Sequence, residues 1–392
     1  MRRDGRAARW LSLFVCFSIM LAGCVGKANP AAGPDGSSWA EEADLNKTET
    51  VDELYEQAKK EGKVVVYSQS SRIKDVKASF EAQYPGITVE GFDMSTNEIV
   101  EKLVREQEAG VFNADVIFIK DALGVVSSDL VNRGILHSYK PTDIADSLME
   151  PYKSLPALAA YVSIRAVFYN SDVYDAPPVT NWWQLTEPQW KTKVLINDPL
   201  DSSDMMELFL AMVRNADEME KAYKELYGKD LELTEENAGY EFIARLMKND
   251  PVLVKSSDAV VENVGEKGQS NPPVGIGASS KLRNIEQKGL SINASFDMNP
   301  KVSVLGPTYI YMANKAPNTA AGKLMIRWMM GEADGLGEGL RPYNVLGSWV
   351  TNPEVPHKNP INLDEINGWP YDAEFFYKNT VKFREFWIKH IN

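Results

Sequence analysis

Cysteine is almost missing from this chain. Of 392 residues only Cys16 and Cys24 are cysteines, both near the start, so the rest carries neither a disulfide nor a thiolate metal site. Histidine is equally scarce. His137, His357 and His390 stand far apart with no H-x-x-x-H spacing, which argues against a histidine-built metal centre. Beyond the N-terminus no apolar run reaches membrane-spanning length. A G-x-S-x-G elbow, a phosphate-loop lysine motif and a dinucleotide fingerprint are also missing. The stretches "DPLDSSD" and "SSDAV" invite a hydrolase reading, yet no histidine lies within about 50 residues of either to act as base. Positive charge is in deficit. A formal net charge of -13 opposes a nucleic-acid partner held through phosphates, although a local pocket can oppose the global sign and take a small anion.

What is present is ordinary for a soluble globular protein: 44% hydrophobic and 25% charged residues, enough for two domains or one large one. The N-terminus stands out. Arg2, Arg3, Arg6 and Arg9 precede an apolar run from Trp10 to Ala22, too short for a comfortable membrane span and closed by small residues. "LAGC" at 21–24 resembles the bacterial lipobox. That resemblance implies a signal peptide over residues 1–23 and diacylation of Cys24. The lipid would hold the protein on the outer face of the cytoplasmic membrane, or facing the periplasm. Residues 24–50, rich in Gly, Pro, Ala and acid, read as a flexible tether.

From Val51 helical and strand patterns alternate. "VDELYEQAKKEG" is amphipathic and stops at Gly62; "KVVVYS" is a continuous apolar run of the kind buried on both faces of a sheet. "IKDVKASFEAQYPG" and "TNEIVEKLVREQEAG" are helical, "ITVEGFD" and "ADVIFIKD" extended. The βαβαβ order predicts a parallel α/β sheet, with ligands beyond the carboxyl ends of its strands. "KVLINDPLDSSDMMELFLAMV", "DPVLVKSSDAVVENVGEKG" and "NPPVGIGASSKLRNIEQKG" repeat a strand–hydroxyl–helix arrangement and predict a second such unit.

The chain resembles the extracellular solute-binding proteins of bacterial ABC importers, in the ferric-ion-binding-like branch of the type II periplasmic-binding fold. "VVVYSQSS", "ADVIFIKDA", "AVFYNSDVY", "NWWQLTEPQWKTKVLINDP", "SSDAVVENVGEKGQSNPPVGIGAS" and "YIYMANKAPNTAAGKLMIRWMM" carry the resemblance by their order, over about residues 51–331. It implies two α/β lobes, each a mostly parallel sheet flanked by helices, joined by hinge strands and closing over a ligand. Residues 51–165 with about 303–392, including the C-terminal tail, would form the first lobe, and 166–302 the second. The implied partners are a small solute and an ABC permease, with the protein a monomer, no nucleic acid, no cofactor and no covalent chemistry.

Ferric-binding members place a histidine after the first strand and paired tyrosines after a later one. The corresponding places here hold Ser71 and Arg72, and Ser279 and Ser280. An arginine repels a ferric ion, and neutral serines do not replace two tyrosinates. The alternatives are therefore iron transport, and from another class a secreted hydrolase or a sensory lipoprotein. The donors present suit an oxygen-rich anion such as a sugar phosphate, phosphonate or other organophosphate. Ser70, Ser71, Arg72, Ser95, Thr96, Lys120, Asp121, Ser202, Ser203, Ser257, Asp258, Ser279 and Ser280 all fall at expected strand ends or helix starts. Helix-start amides with hydroxyls form natural oxyanion sites, Arg72 adds bidentate recognition, and the aspartates accept from ligand hydroxyls or an amine. Serine is among the commonest helix caps, so any one of these serines is more often a cap than a ligand contact.

Overall fold

The computed structural model describes residues 38–391 except 357. The expected signal peptide, the expected lipidation site Cys24 and the start of the expected tether lie outside the described residues. Two sheets organise the rest. The first takes β1 (Lys63–Ser68), β2 (Thr88–Asp93), β3 (Val116–Lys120), β4 (Leu136–His137) and β5 (Leu158–Val162). The chain then crosses through Ser163 and Ile164 into the second sheet, β6 (Arg165–Asn170), β7 (Val194–Asn197), β8 (Val252–Val254), β9 (Val274–Ala278) and β10 (Ile292–Ser295). It returns to add β11 (Pro307–Ala313) and β12 (Trp349–Val350) to the first.

The strand orders are β12-β5-β11-β3-β1-β2, with β4 beside β11, and β10-β6-β9-β7-β8. The α/β architecture expected from the sequence is the one observed, but the sheets are mixed in direction where mostly parallel ones were expected. β1 runs parallel to β2 and β3, and β7 to β8 and β9. The strands next to the crossings, β11 and β6, run antiparallel to their neighbours because the chain enters each half from the other one.

Local chemistry explains the elements. Val64, Val65, Val66 and Tyr67 are all buried, so β1 is covered on both faces. Ile73, Val76 and Phe80 recur at helical spacing and bury one side of the helix Ile73–Gln83. Ser95 caps the helix Thr96–Glu108 through a reciprocal bond pair with Glu98. The helix Ser203–Arg214 has ten buried residues because it lies between the helix Ala238–Lys248 and the C-terminal helix Ala373–His390.

Two expectations change here. Residues 38–50 do not behave as a tether. Leu45 is buried, the ring of Trp39 meets that of His137, and Glu49 makes a buried ion pair with Lys323 at 2.6 Å. The C-terminal tail, expected over the first lobe, divides: β12 joins the first sheet, while Phe383 and Trp387 stack on Phe209 of the second half.

Candidate functional site

The carboxyl ends of β1, β2 and β3 face those of β7, β8 and β9 across a cleft of about 650 Å³. Of the expected residues Ser70, Ser71, Arg72, Ser95, Thr96, Lys120, Ser202, Ser203, Ser257, Asp258 and Ser280 line it; Asp121 and Ser279 do not. The cleft also takes Gln69, Arg165, Lys281 and Arg283.

Arg72 is held from several sides. Its Nε donates to Ser70 Oγ at 3.0 Å, its terminal nitrogens to the Tyr161 hydroxyl at 3.2 Å and the Pro342 carbonyl at 3.3 Å. The guanidinium lies over the rings of Tyr161 and Tyr343, 5.1 and 4.8 Å from their centroids. No carboxylate pairs with it among the described residues. Arg283 likewise has no acid partner there and donates to the Ser280 carbonyl at 2.7 Å. Burial, and then the neighbouring Arg72, lower the Arg283 pKa below its ordinary value. It keeps its charge at neutral pH, as arginine does.

Lys281 pairs with Asp258, yet its pKa is lowered too, by burial first and then by Arg283 and Arg72 against the pull of Asp258. Burial works to raise Asp258, and the Lys281 and Asn284 bonds outweigh it and leave it lowered. Arg72 and Arg283 stand close enough to oppose the charge on Lys281 but form no ion pair with Asp258, which Lys288 also approaches at 3.9 Å.

Lys120 behaves differently. Its ammonium reaches Glu207 at 2.7 Å and Asp204 at 3.5 Å, and Arg165 reaches Asp204 at 2.9 Å. Burial and the Asp204 carboxylate push Glu207 up to about 8, with Lys120 pulling the other way. Asp204 stays low because Lys120 and Arg165 outweigh its burial. Both cations of this group are engaged by acids. Lys120, expected as a ligand contact, is committed to acids of the opposite half.

The hydroxyls also sort themselves. Ser95 is a helix cap, and Ser202 caps through Met205 N–H. Thr96 donates to Gln69 Oε1 at 2.9 Å, and Ser257 accepts from Arg165 at 2.8 Å. Ser71, Ser203 and Ser280 have no side-chain partner among the described residues. The expected amides after β1 are largely used: those of Ile73, Lys74 and Asp75 bond to the carbonyls of Ser70, Ser71 and Arg72. Side chains carry the donor set at that turn.

Two assignments are corrected. Asp121 accepts from the amides of Val126 and Ser127 at 2.9 and 3.0 Å and caps that turn, which occupies its carboxylate. Ser279 is fully buried, accepts from Ile164 N–H at 3.0 Å and donates to the Gly347 carbonyl. It clips the crossing to a late loop. Gly347 has φ +77°, and a Cβ there would lie 2.0 Å from the Ser279 carbonyl oxygen, so only glycine lets the loop come so close. Sequence reasoning left Gln69, Arg165 and Arg283 out of the site.

The model of the bacterial extracellular solute-binding proteins matches residues 75–365. The chain belongs to that family. Solved structures agree on the solute-binding fold. The apo ferric-ion-binding protein A of Pasteurella haemolytica is 16% identical with a TM-score of 0.63, covering 84% of this chain and 98% of its own. AfuA of Actinobacillus pleuropneumoniae, with fructose-6-phosphate bound, is 17% identical at 0.63, covering 84% and 98%. Iron-bound HitA of Pseudomonas aeruginosa is 12% identical at 0.61, covering 84% and 99%. At these identities the likeness is one of architecture. No curated protein matches this solute-binding protein. Among the described residues no helix is long and apolar enough to cross a membrane.

Proposed function

We propose that the protein captures a small, oxygen-rich anion in the cleft and delivers it to an ABC permease, by binding and hinge closure without covalent chemistry. Structural neighbours divide between iron and a sugar phosphate, so this chain's own residues carry the choice. The observation that carries it is the gathering of Arg72, Lys281 and Arg283 in the cleft, where Lys281 alone is paired with an acid, Asp258. A planar guanidinium held against the stacked rings of Tyr161 and Tyr343 suits a phosphate, phosphonate or carboxylate and repels a ferric ion. The unpartnered hydroxyls of Ser71, Ser203 and Ser280 supply further donors. Each charge-assisted hydrogen bond contributes about 1.5–3 kcal/mol, so a few give micromolar binding after entropy costs.

A thermal-shift panel of sugar phosphates, phosphonates, carboxylates, polyols and ferric salts tests this, since a native-state ligand raises the melting temperature by mass action. Phosphorylated or phosphonate solutes should give the rise, and Arg72→Ala should weaken them at least about tenfold, ~1.4 kcal/mol. A rise with ferric salts alone, or unchanged anion affinity in Arg72→Ala, defeats the reading.

The arginine-rich leader and "LAGC" further support attachment through a lipid on Cys24. Expressed in a bacterial host, the wild type should label with radioactive palmitate and sediment with membranes. Cys24→Ala should do neither; equal labelling of both proteins counts against the anchor.

A further inference from the structure

A second cavity, of about 750 Å³, lies apart from the cleft, on the side of the first sheet where β11 and β12 meet the tail segment before the last helix. Four aromatic rings line it: Tyr152, Tyr309, Trp349 and Tyr371. Among the described residues no two of the four stack on each other. Trp349 leans on Phe296 at 5.7 Å and Tyr371 on Phe376 at 5.5 Å, both outside the cavity.

Two further observations point to an occupant. Tyr152 and Tyr309 are more than nine-tenths buried, and neither hydroxyl has a hydrogen-bond partner among the described residues. The lining also contains no lysine, arginine or histidine, while it does contain Glu150 and Asp364. Neither acid forms an ion pair among the described residues; Glu150 only accepts from Ser154. Ring faces carry negative potential and attract a cation most strongly where water is excluded.

We propose that this cavity is a second binding site, for an organic cation with an apolar body, of the quaternary ammonium or protonated aliphatic amine class. The rings receive the alkyl groups and the spread positive charge. Glu150 and Asp364 at the rim supply the countercharge, and the two tyrosine hydroxyls orient any polar arm. This is the opposite chemistry to the cleft, which gathers Arg72, Lys281 and Arg283. The two sites therefore select different molecules.

Choline and its uncharged isostere 3,3-dimethylbutan-1-ol separate the alternatives by calorimetric titration of the purified protein. Choline should bind at least tenfold more tightly than the alcohol. The double variant Glu150→Gln, Asp364→Asn, confined to exposed positions, should lower choline affinity at least threefold and leave the alcohol unchanged. Tyr309→Leu should weaken choline more than the alcohol, with circular dichroism confirming the fold. Equal affinity for the two probes would mean an apolar cavity only and overturn the assignment. So would no detectable choline binding, or choline binding unaffected by the double variant.

Discussion

Glu207 shows how one side chain reports on its surroundings. Buried beneath Lys120 and beside Asp204, its carboxyl is raised from 4.5 to about 8. Between those values the folded protein keeps a proton that the unfolded chain releases, so stability falls as pH rises across the window. Glu207→Gln removes the titration. Its melting temperature relative to wild type should rise steadily from pH 5 to pH 8, as measured by calorimetry, whereas a constant offset would mean that Glu207 is ionised throughout. The same neighbourhood explains what was legible in the chain and what was not. Arg72 could be picked out because it follows a strand and opens a helix. Arg165 and Arg283 carry no such mark. The acid partner of Lys120, Glu207, lies 87 residues along the chain and becomes visible only once the halves face each other.

Elements were easier to read where hydrophobic spacing was strong. The runs giving β1 and β3, and the helices Ile73–Gln83 and Thr96–Glu108, fall where the pattern put them. Caps were legible as hydroxyls at expected helix starts: Ser95 and Ser202, both singled out there, cap the helices Thr96–Glu108 and Ser203–Arg214. Failures came where an element depends on something distant. Residues 38–50 look unable to bury anything, yet Glu49 finds Lys323 and Leu45 finds the first core, 274 residues away in the first case. Ser279 reads like any hydroxyl after a strand; a loop 68 residues later turns it into a clip. The last helix was expected with the first lobe like the rest of the tail. Phe209 of the second half draws it away, by offering a ring to Phe383 and Trp387.

Across the whole molecule, opening and closing depend on what links the halves besides the crossings. Lys120 belongs to the first sheet and Glu207 to a helix of the second half, so their 2.7 Å contact ties the two at the cleft floor. Replacing a buried pair by apolar residues of similar volume is often close to neutral for stability, whereas removing one partner is not. The double variant Lys120→Met, Glu207→Met should therefore stay folded and open more widely when empty. Small-angle scattering should show a larger radius of gyration for the empty variant, brought back to the wild-type value by a saturating anion. Identical empty radii would show that the crossings alone set the angle.

The ion pair of Glu49 with Lys323 bears on which half does the moving. It rivets the first of the described residues to the first half alone, so the mooring proposed at Cys24 would pull on that half and leave the other untouched. With that mooring the first half would be the stationary jaw, and the second the one that swings.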